Sequence, residues 1–312
     1  AKPMAEEKRP VHRVTAFTCW LAYVTALGAC VVGSRALEVY VPDLGPLCKG
    51  LVLTSLGTAV VYVFSLASSN TSIYDPYWAI APLILAFYWK SFAPGGFWFY
   101  EPRETACILL LWVWAVRFFV LVPWEGWTHG LVHEDWRYAQ LRAQMPSEAV
   151  YWCFSFTSLH LTPTLLVYGG LCPVARVILQ GTGAPPLGPL DSAAVLLTLG
   201  AILIEAFADE QLRRHRAAGS AGRACRTGLW RYSRHPNYFG ECLFWTGQLA
   251  IAAAAGVLSS ERALVVGPAF IWLFFRAASV PLMDKRSLER REDYKDVMAT
   301  TSALVPWPTT VK

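Results

Sequence analysis

Between Gly228 and Glu241 the chain reads Gly-Leu-Trp-Arg-Tyr-Ser-Arg-His-Pro-Asn-Tyr-Phe-Gly-Glu. Two arginines, a histidine, an asparagine, two tyrosines and a glutamate thus crowd into one short stretch. An apolar run long enough to enter a membrane follows, from Cys242 to Leu258. Polar side chains at such a boundary are expensive unless they bind something, so the segment reads as a site. Pro236 disfavours helix at the residue before it and suits the first turn of a new one. A helix starting there leaves free backbone N–H groups near Arg231, Arg234 and His235, which suits a phosphate or another anion. Asn237 and Glu241 are four residues apart and share a helical face, able to hydrogen-bond a carboxamide or a ribose. A basic collar touching lipid head groups would explain the arginines but leaves Asn237 and Glu241 without a role.

Other polar groups fall in three places. Glu205 and Asp209 share a helical face that Arg213 and Arg216 continue; this is either a second wall of the same cavity or a set of intrahelical ion pairs. Tyr74 and Tyr77 flank Asp75-Pro76, where Asp75 suits a helix cap and the tyrosines could supply a phenolic proton or line a pocket. His129 and His133 stand near Glu134 and Asp135, but glycine and valine separate them in a loop, so a capped polar loop is favoured over a metal site. Arg117 and Arg276 lie inside apolar segments and require partners or a function. The chain has no Gly-x-Gly-x-x-Gly, no Walker loop and no Gly-x-Ser-x-Gly, so a soluble dinucleotide domain is excluded. Basic clusters are few and adjacent to apolar runs, which gives nucleic-acid binding no support.

The elements that position these residues are set by composition. Of 312 residues, 55% are hydrophobic and only 16% charged; a soluble domain carries about a quarter charged residues. Fourteen tryptophans and thirteen tyrosines fit the enrichment of amphipathic rings at lipid–water interfaces. Apolar segments run over 14–33, 51–67, 77–89, 105–122, 151–171, 192–208, 239–258 and 264–280. About twenty apolar residues cross a bilayer core, and the third segment is short enough to be re-entrant. The expectation is an all-α, polytopic transmembrane helical bundle of seven or eight spans, one integral domain over 1–312. With eight spans, nineteen of the 27 Lys and Arg residues fall on the side of both termini and of the 209–237 loop, and six on the other. That asymmetry places the termini in the cytoplasm or an equivalent matrix compartment. The polar N-terminal stretch before the first segment has no signal-peptide pattern. The eight cysteines lack Cys-x-x-Cys spacing and read as small buried thiols.

Five ordered blocks extend the pattern over nearly the whole chain: Ser72-Ile-Tyr-Asp-Pro-Tyr-Trp78, His133-Glu-Asp-Trp-Arg-Tyr138, Ala208-Asp-Glu-Gln-Leu212, the 228–241 stretch, and the tail from Val280-Pro-Leu-Met-Asp-Lys-Arg286 to Thr301-Ser-Ala-Leu-Val-Pro-Trp307. Together they resemble the DUF1295 family, related to the C-terminal domain of steroid 5-alpha-reductases and, more distantly, to sterol C14 reductases. The wider superfamily includes isoprenylcysteine and phospholipid methyltransferases, which share an Arg-His-Pro-x-Tyr-x-Gly core and bind S-adenosylmethionine. The Glu-Asp-Trp-Arg-Tyr and Ala-Asp-x-Gln-Leu blocks favour the reductase-like branch. The resemblance implies that the 192–312 part binds NADPH. Asp209, Arg216, Tyr232, Arg234, His235, Asn237, Tyr238 and Glu241 would contact it, with Lys285 and Arg286 near its phosphates. Two departures stand out: 155–164 lacks the expected glutamine, and only Tyr294 remains of a Tyr-x-x-Tyr pair.

The reading that results is an NADPH-dependent reductase of a carbon–carbon double bond in a sterol, isoprenoid or fatty substrate, with Tyr74 or Tyr232 as proton donor. The alternatives are a methyltransferase acting on a lipid or prenylated substrate and a non-catalytic subunit of a membrane protein complex. Expected partners are membrane lipid and the lipophilic substrate. The expected location is the endoplasmic reticulum, or else a mitochondrial or plastid inner membrane.

Overall fold

The computed structural model describes residues 14–121, 134–220 and 222–309. It is 79% helical, without a strand among the described residues, which makes the protein all-α. In chain order the helices of seven or more residues are α1 (Ala16–Tyr40), α2 (Pro46–Ala67), α3 (Tyr74–Lys90), α4 (Pro102–Leu121), α5 (Trp136–Gln144), α6 (Glu148–Gln180), α7 (Pro189–Ala217), α8 (Pro236–Ala254), α9 (Arg262–Arg290) and α10 (Tyr294–Thr300). All eight apolar segments lie in or largely in helices, and α1, α2, α6, α7 and α9 are long and apolar enough to cross a membrane. Large apolar side chains stay exposed along them, among them Phe17, Val24, Leu196, Phe207 and Leu273. Such continuous exposure costs much in water and nothing in lipid, so this is the helical membrane architecture expected of the composition.

The chain divides into two compact units, one within Ala1–Ala81 and Trp124–Thr164, the other within Pro82–Pro123 and Leu165–Lys312. The boundaries fall inside α3 and α6, and the 192–312 part lies wholly in the second unit.

In the first unit Thr15 caps α1 by accepting from the Thr18 N–H at 3.2 Å. Its core gathers Cys19, Ala22, Tyr23, Ala26, Val61, Ile73, Tyr74 and Tyr77, and Tyr23 donates to the Ile73 carbonyl at 2.8 Å. The first part of α6 carries a π-helical stretch, Ser155–Leu161, with His160 fully buried.

In the second unit α7 and α8 pack backbone to backbone. Gly240 of α8 lies 3.0 Å (from an ideal Cβ) from the Ala201 carbonyl of α7 and against the Glu205 stem, and Gly247 lies against Thr198. Proline opens both helices, where its missing N–H costs nothing. Helix α4 is tied to the N-terminus of α7 by a bidentate pair, Arg103 Nε to Asp191 Oδ1 at 2.5 Å and Nη2 to Oδ2 at 2.9 Å. Trp114 of α4 stacks on Phe244 of α8 at 5.2 Å, which aims the next turn of α4 at the α7–α8 seam. After α10 the chain runs extended as a strap: Ser233 pairs with Ser302, the Arg234 N–H donates to the Ser302 carbonyl at 2.9 Å, and the Trp307 N–H donates to the Tyr232 carbonyl at 2.9 Å.

Candidate functional site

The close seam between α7 and α8 puts Glu205, Asp209, Asn237 and Glu241 on facing helix surfaces, and α4 delivers Arg117 to them. Arg117 is 7% exposed. Its Nη2 meets Glu205 Oε2 at 2.5 Å and lies 3.9 Å from Glu241 Oε2, and its Nη1 donates to Asp209 Oδ2 at 3.1 Å. Asn237 Nδ2 donates to the other oxygen of Asp209 at 3.1 Å. Glu241 accepts two indole N–H bonds, from Trp114 at 3.0 Å and from Trp245 at 2.8 Å. One guanidinium faces three carboxyl groups, and neutral donors supply the remaining bonds; an uncompensated charge at this depth would be very costly.

The array is not fully satisfied. Arg117 Nε and Glu205 Oε1 have no hydrogen-bond partner, and neither do the amide atoms of the completely buried Gln248, about two turns further along α8. Buried polar atoms are nearly always paired, so Arg117 Nε and Glu205 Oε1 offer one donor and one acceptor to a further polar group.

A second cluster surrounds Asp284 on α9. Arg234 donates from Nη2 to Oδ2 at 2.8 Å and from Nε to Oδ1 at 3.2 Å, and His235 Nε2 lies 2.9 Å from Oδ1. The Tyr294 hydroxyl donates to the same oxygen at 2.6 Å. Arg234 Nη1 also donates to the Thr301 carbonyl at 2.7 Å. Tyr238 stacks on the His235 ring at 5.3 Å. Burial, followed by the bond to Asp284, raises the Tyr294 phenol above its usual range. This cluster fastens the strap to the start of α8.

The sequence-chosen residues therefore separate into groups. Asp209, Asn237 and Glu241 come together around Arg117. Arg234, His235 and Tyr238 form the clamp on Asp284. Arg216 is exposed at the end of α7, forms no ion pair with a described residue, and is exposed to the charges of Arg290, Arg291 and Asp209. Lys285 is exposed and Arg286 half-buried beside the clamp. Tyr232 is 42% exposed and only its backbone carbonyl holds the strap. Tyr74 belongs to the first unit, where its hydroxyl shares a hydrogen with Thr164 at 2.7 Å.

Also in the first unit, the Ser72–Trp78 and Glu134–Tyr138 blocks meet. The Asp135 N–H donates to Ser72 Oγ at 2.8 Å, the Thr71 N–H to Glu134 at 2.9 Å, and the Tyr138 hydroxyl to Asp75 at 2.5 Å. Asp75 is thus bound by a tertiary partner where a cap was one reading, and Asp135 caps α5. His129 and His133 lie outside the described residues, among which no group of three His, Cys, Asp or Glu is placed for a metal. Two residues central to the clusters were not chosen from the sequence. Asp284 sits unmarked inside the Val280–Arg286 block, and Arg117 had only its charge within an apolar run as a signal.

Fold and array together define a polytopic membrane protein with an enclosed polar site beside a basic edge. A model of the family described as "Protein of unknown function (DUF1295)" matches residues 61–301, and the chain belongs to that family. An uncharacterized protein of Schizosaccharomyces pombe is 26% identical over 276 residues, which cover 81% of this chain and 77% of that one. No solved structure matches.

Proposed function

We propose that this protein is a membrane-embedded reductase that uses NADPH to saturate a carbon–carbon double bond in a lipophilic sterol, isoprenoid or fatty substrate. The observation that carries the reading is the buried array of Arg117, Glu205, Asp209, Asn237 and Glu241, with orphaned polar atoms inside it. The residues fit such a cofactor in part. A carboxamide could satisfy the orphaned Glu205 Oε1, and Asp209 and Asn237 offer an acceptor and a donor to a ribose. Arg216, with Arg290 and Arg291 near it, presents positive charge to phosphates at the end of α7. Lys285 and Arg286 extend that edge. Arg234, His235 and Tyr238 support the site by fixing Asp284 and the strap.

Bound NADPH would supply hydride to the electron-poor alkene carbon. Arg117 and the two indoles hold Glu241 in one orientation, and the apolar helices exclude water. The Tyr232 hydroxyl, in the same unit as the array, donates the proton to the other carbon without placing a charge in the membrane. The membrane is that of the endoplasmic reticulum or an organellar inner membrane, with both termini on the cytoplasmic or matrix side.

Calorimetry on the full chain in mild detergent tests the reading. NADPH is expected to bind, and Asn237→Ala to weaken it by about tenfold, the value of one lost hydrogen bond at a charged partner. Thermal stabilisation by S-adenosylhomocysteine without any response to NADPH would replace reduction with methyl transfer. Silence toward both would leave the complex-subunit role.

A further inference from the structure

From Ala263 to Ala278, α9 is apolar except for Arg276. Arg276 lies on a π-helical turn, Phe275–Ser279, a local widening that often accompanies function in helices. Its side chain is exposed and makes no hydrogen bond or ion pair with a described residue. An arginine in this setting needs an anion or water. The apolar segment ends four residues on, at Val280, roughly 6 Å along the helix axis. The guanidinium can therefore reach the head-group level while its stem lies along apolar surface.

Two adjoining open clefts share Arg276. The larger, about 560 Å³, is walled by Trp272, Leu273, Leu304 and Val305, with Ser302 and Ala303 completing its lining beside Arg276. Arg276 is the one formal charge in its lining. Trp272 is fixed there by donating to Thr246 at 3.0 Å. Leu273 and Val305 stay 58% and 50% exposed, so the cleft opens on the apolar exterior. In the smaller cleft, about 370 Å³, Arg234 and Asp284 neutralise each other, which leaves Arg276 and Lys285 as its uncompensated charges. The pattern is a cationic end joined to an apolar trough.

We infer that this cleft seats an anionic phospholipid of the surrounding bilayer, its phosphate on Arg276 and an acyl chain along Trp272, Leu273 and Val305. The site does not depend on the reductase reading, since Arg276 takes no part in the buried array. The strap from Ser302 to Val305 forms one wall, so the lipid would also hold the segment that pairs with Ser233.

Native mass spectrometry of the full chain in mild detergent, titrated with phosphatidylglycerol, phosphatidylcholine or inorganic phosphate, tests it. Phosphatidylglycerol is expected to give a one-to-one adduct about fivefold tighter than phosphatidylcholine, the value of one basic residue near an anionic lipid. Inorganic phosphate should give none. Arg276→Gln should remove the preference, Arg276→Lys should keep part of it, and Arg35→Gln should leave it unchanged. Ala303→Trp, which fills the cleft and keeps the charge, should expel the lipid and covers the case in which Arg276→Gln does not fold. Equal binding of the two lipids, a full preference in either the Arg276→Gln or the Ala303→Trp protein, or phosphate binding as tightly as lipid would overturn the proposal. The variants leave Arg117, Asp209, Asn237 and Arg216 in place, so calorimetry with NADPH on the same proteins is a separate readout and the two readings fail separately.

Discussion

Asp284 takes bonds from Arg234, His235 and Tyr294 while 6% exposed, and these bonds join α8, α9 and α10. Removing it strands a nearly buried guanidinium, so Asp284→Ala should cost about 3–5 kcal/mol. Thermal unfolding in detergent would show this, and a loss under 1 kcal/mol would remove the clamp from the account. Tyr294 supplies a pH signature. Its phenol is raised above the usual 10.0, first by burial and then by Asp284. Above pH 10 the unfolded chain gives up this proton while the native protein keeps it, so the unfolded state binds fewer protons. The contribution of Tyr294 is therefore complete below pH 10 and lost as pH rises further. Tyr294→Phe should give a shallower alkaline decline in stability than the parent protein, and parallel pH curves would refute this. These partners also show what a sequence withholds. The shared face of Asn237 and Glu241 follows from their spacing of four. The bond from Arg234 to Asp284 crosses fifty residues, and no local spacing encodes it; the free anion-binding arginine expected from the motif is spent inside the fold.

At the scale of elements, the apolar runs and first-turn prolines made the helices legible, because both act through local chain geometry. The π-helical turns at Ser155–Leu161 and Phe275–Ser279 were not legible. Each replaces helical bonds with wider ones just before a proline, Pro163 and Pro281, whose missing N–H interrupts the i→i−4 ladder inside the turn; the proline marks a break but not the form it takes. The α7–α8 seam is intermediate: its glycines are visible in the sequence, but only packing separates necessary ones from free ones. Gly247 lies so close to α7 that a Cβ would come 3.0 Å from the Thr198 Cα, whereas a Cβ on Gly200 would meet nothing within 4 Å. Alanine should therefore act with opposite signs. Gly247→Ala should cost about 1–3 kcal/mol by forcing the helices apart and should weaken NADPH binding with them. Gly200→Ala should be neutral or stabilise by up to about 1 kcal/mol through helix propensity. Similar melting shifts for the two would mean that the seam does not control the array.

For the whole molecule, the orientation inferred from basic residues can be tested across α7 alone. Its 29 residues measure roughly 43 Å along the axis, more than the approximately 30 Å hydrocarbon core. Leu187, 59% exposed, lies before its start, and Ser220 lies beyond its end. If the 209–237 loop faces the cytoplasm or matrix, cysteines at these positions must be on opposite sides. The experiment needs a background in which the exposed Cys48 and Cys153 are replaced. In sealed vesicles of known orientation, a membrane-impermeant maleimide should label Ser220→Cys only from the cytoplasmic or matrix face, and Leu187→Cys only from the other. The same orientation puts Arg213, Arg214, Arg216, Arg223, Arg226 and Arg231 where soluble NADPH is available, so the topology constrains the chemistry. Labelling of Ser220→Cys from the opposite face would place the basic edge away from that pool. Reduction by NADPH would then fail on access alone, however well the buried array suited the cofactor.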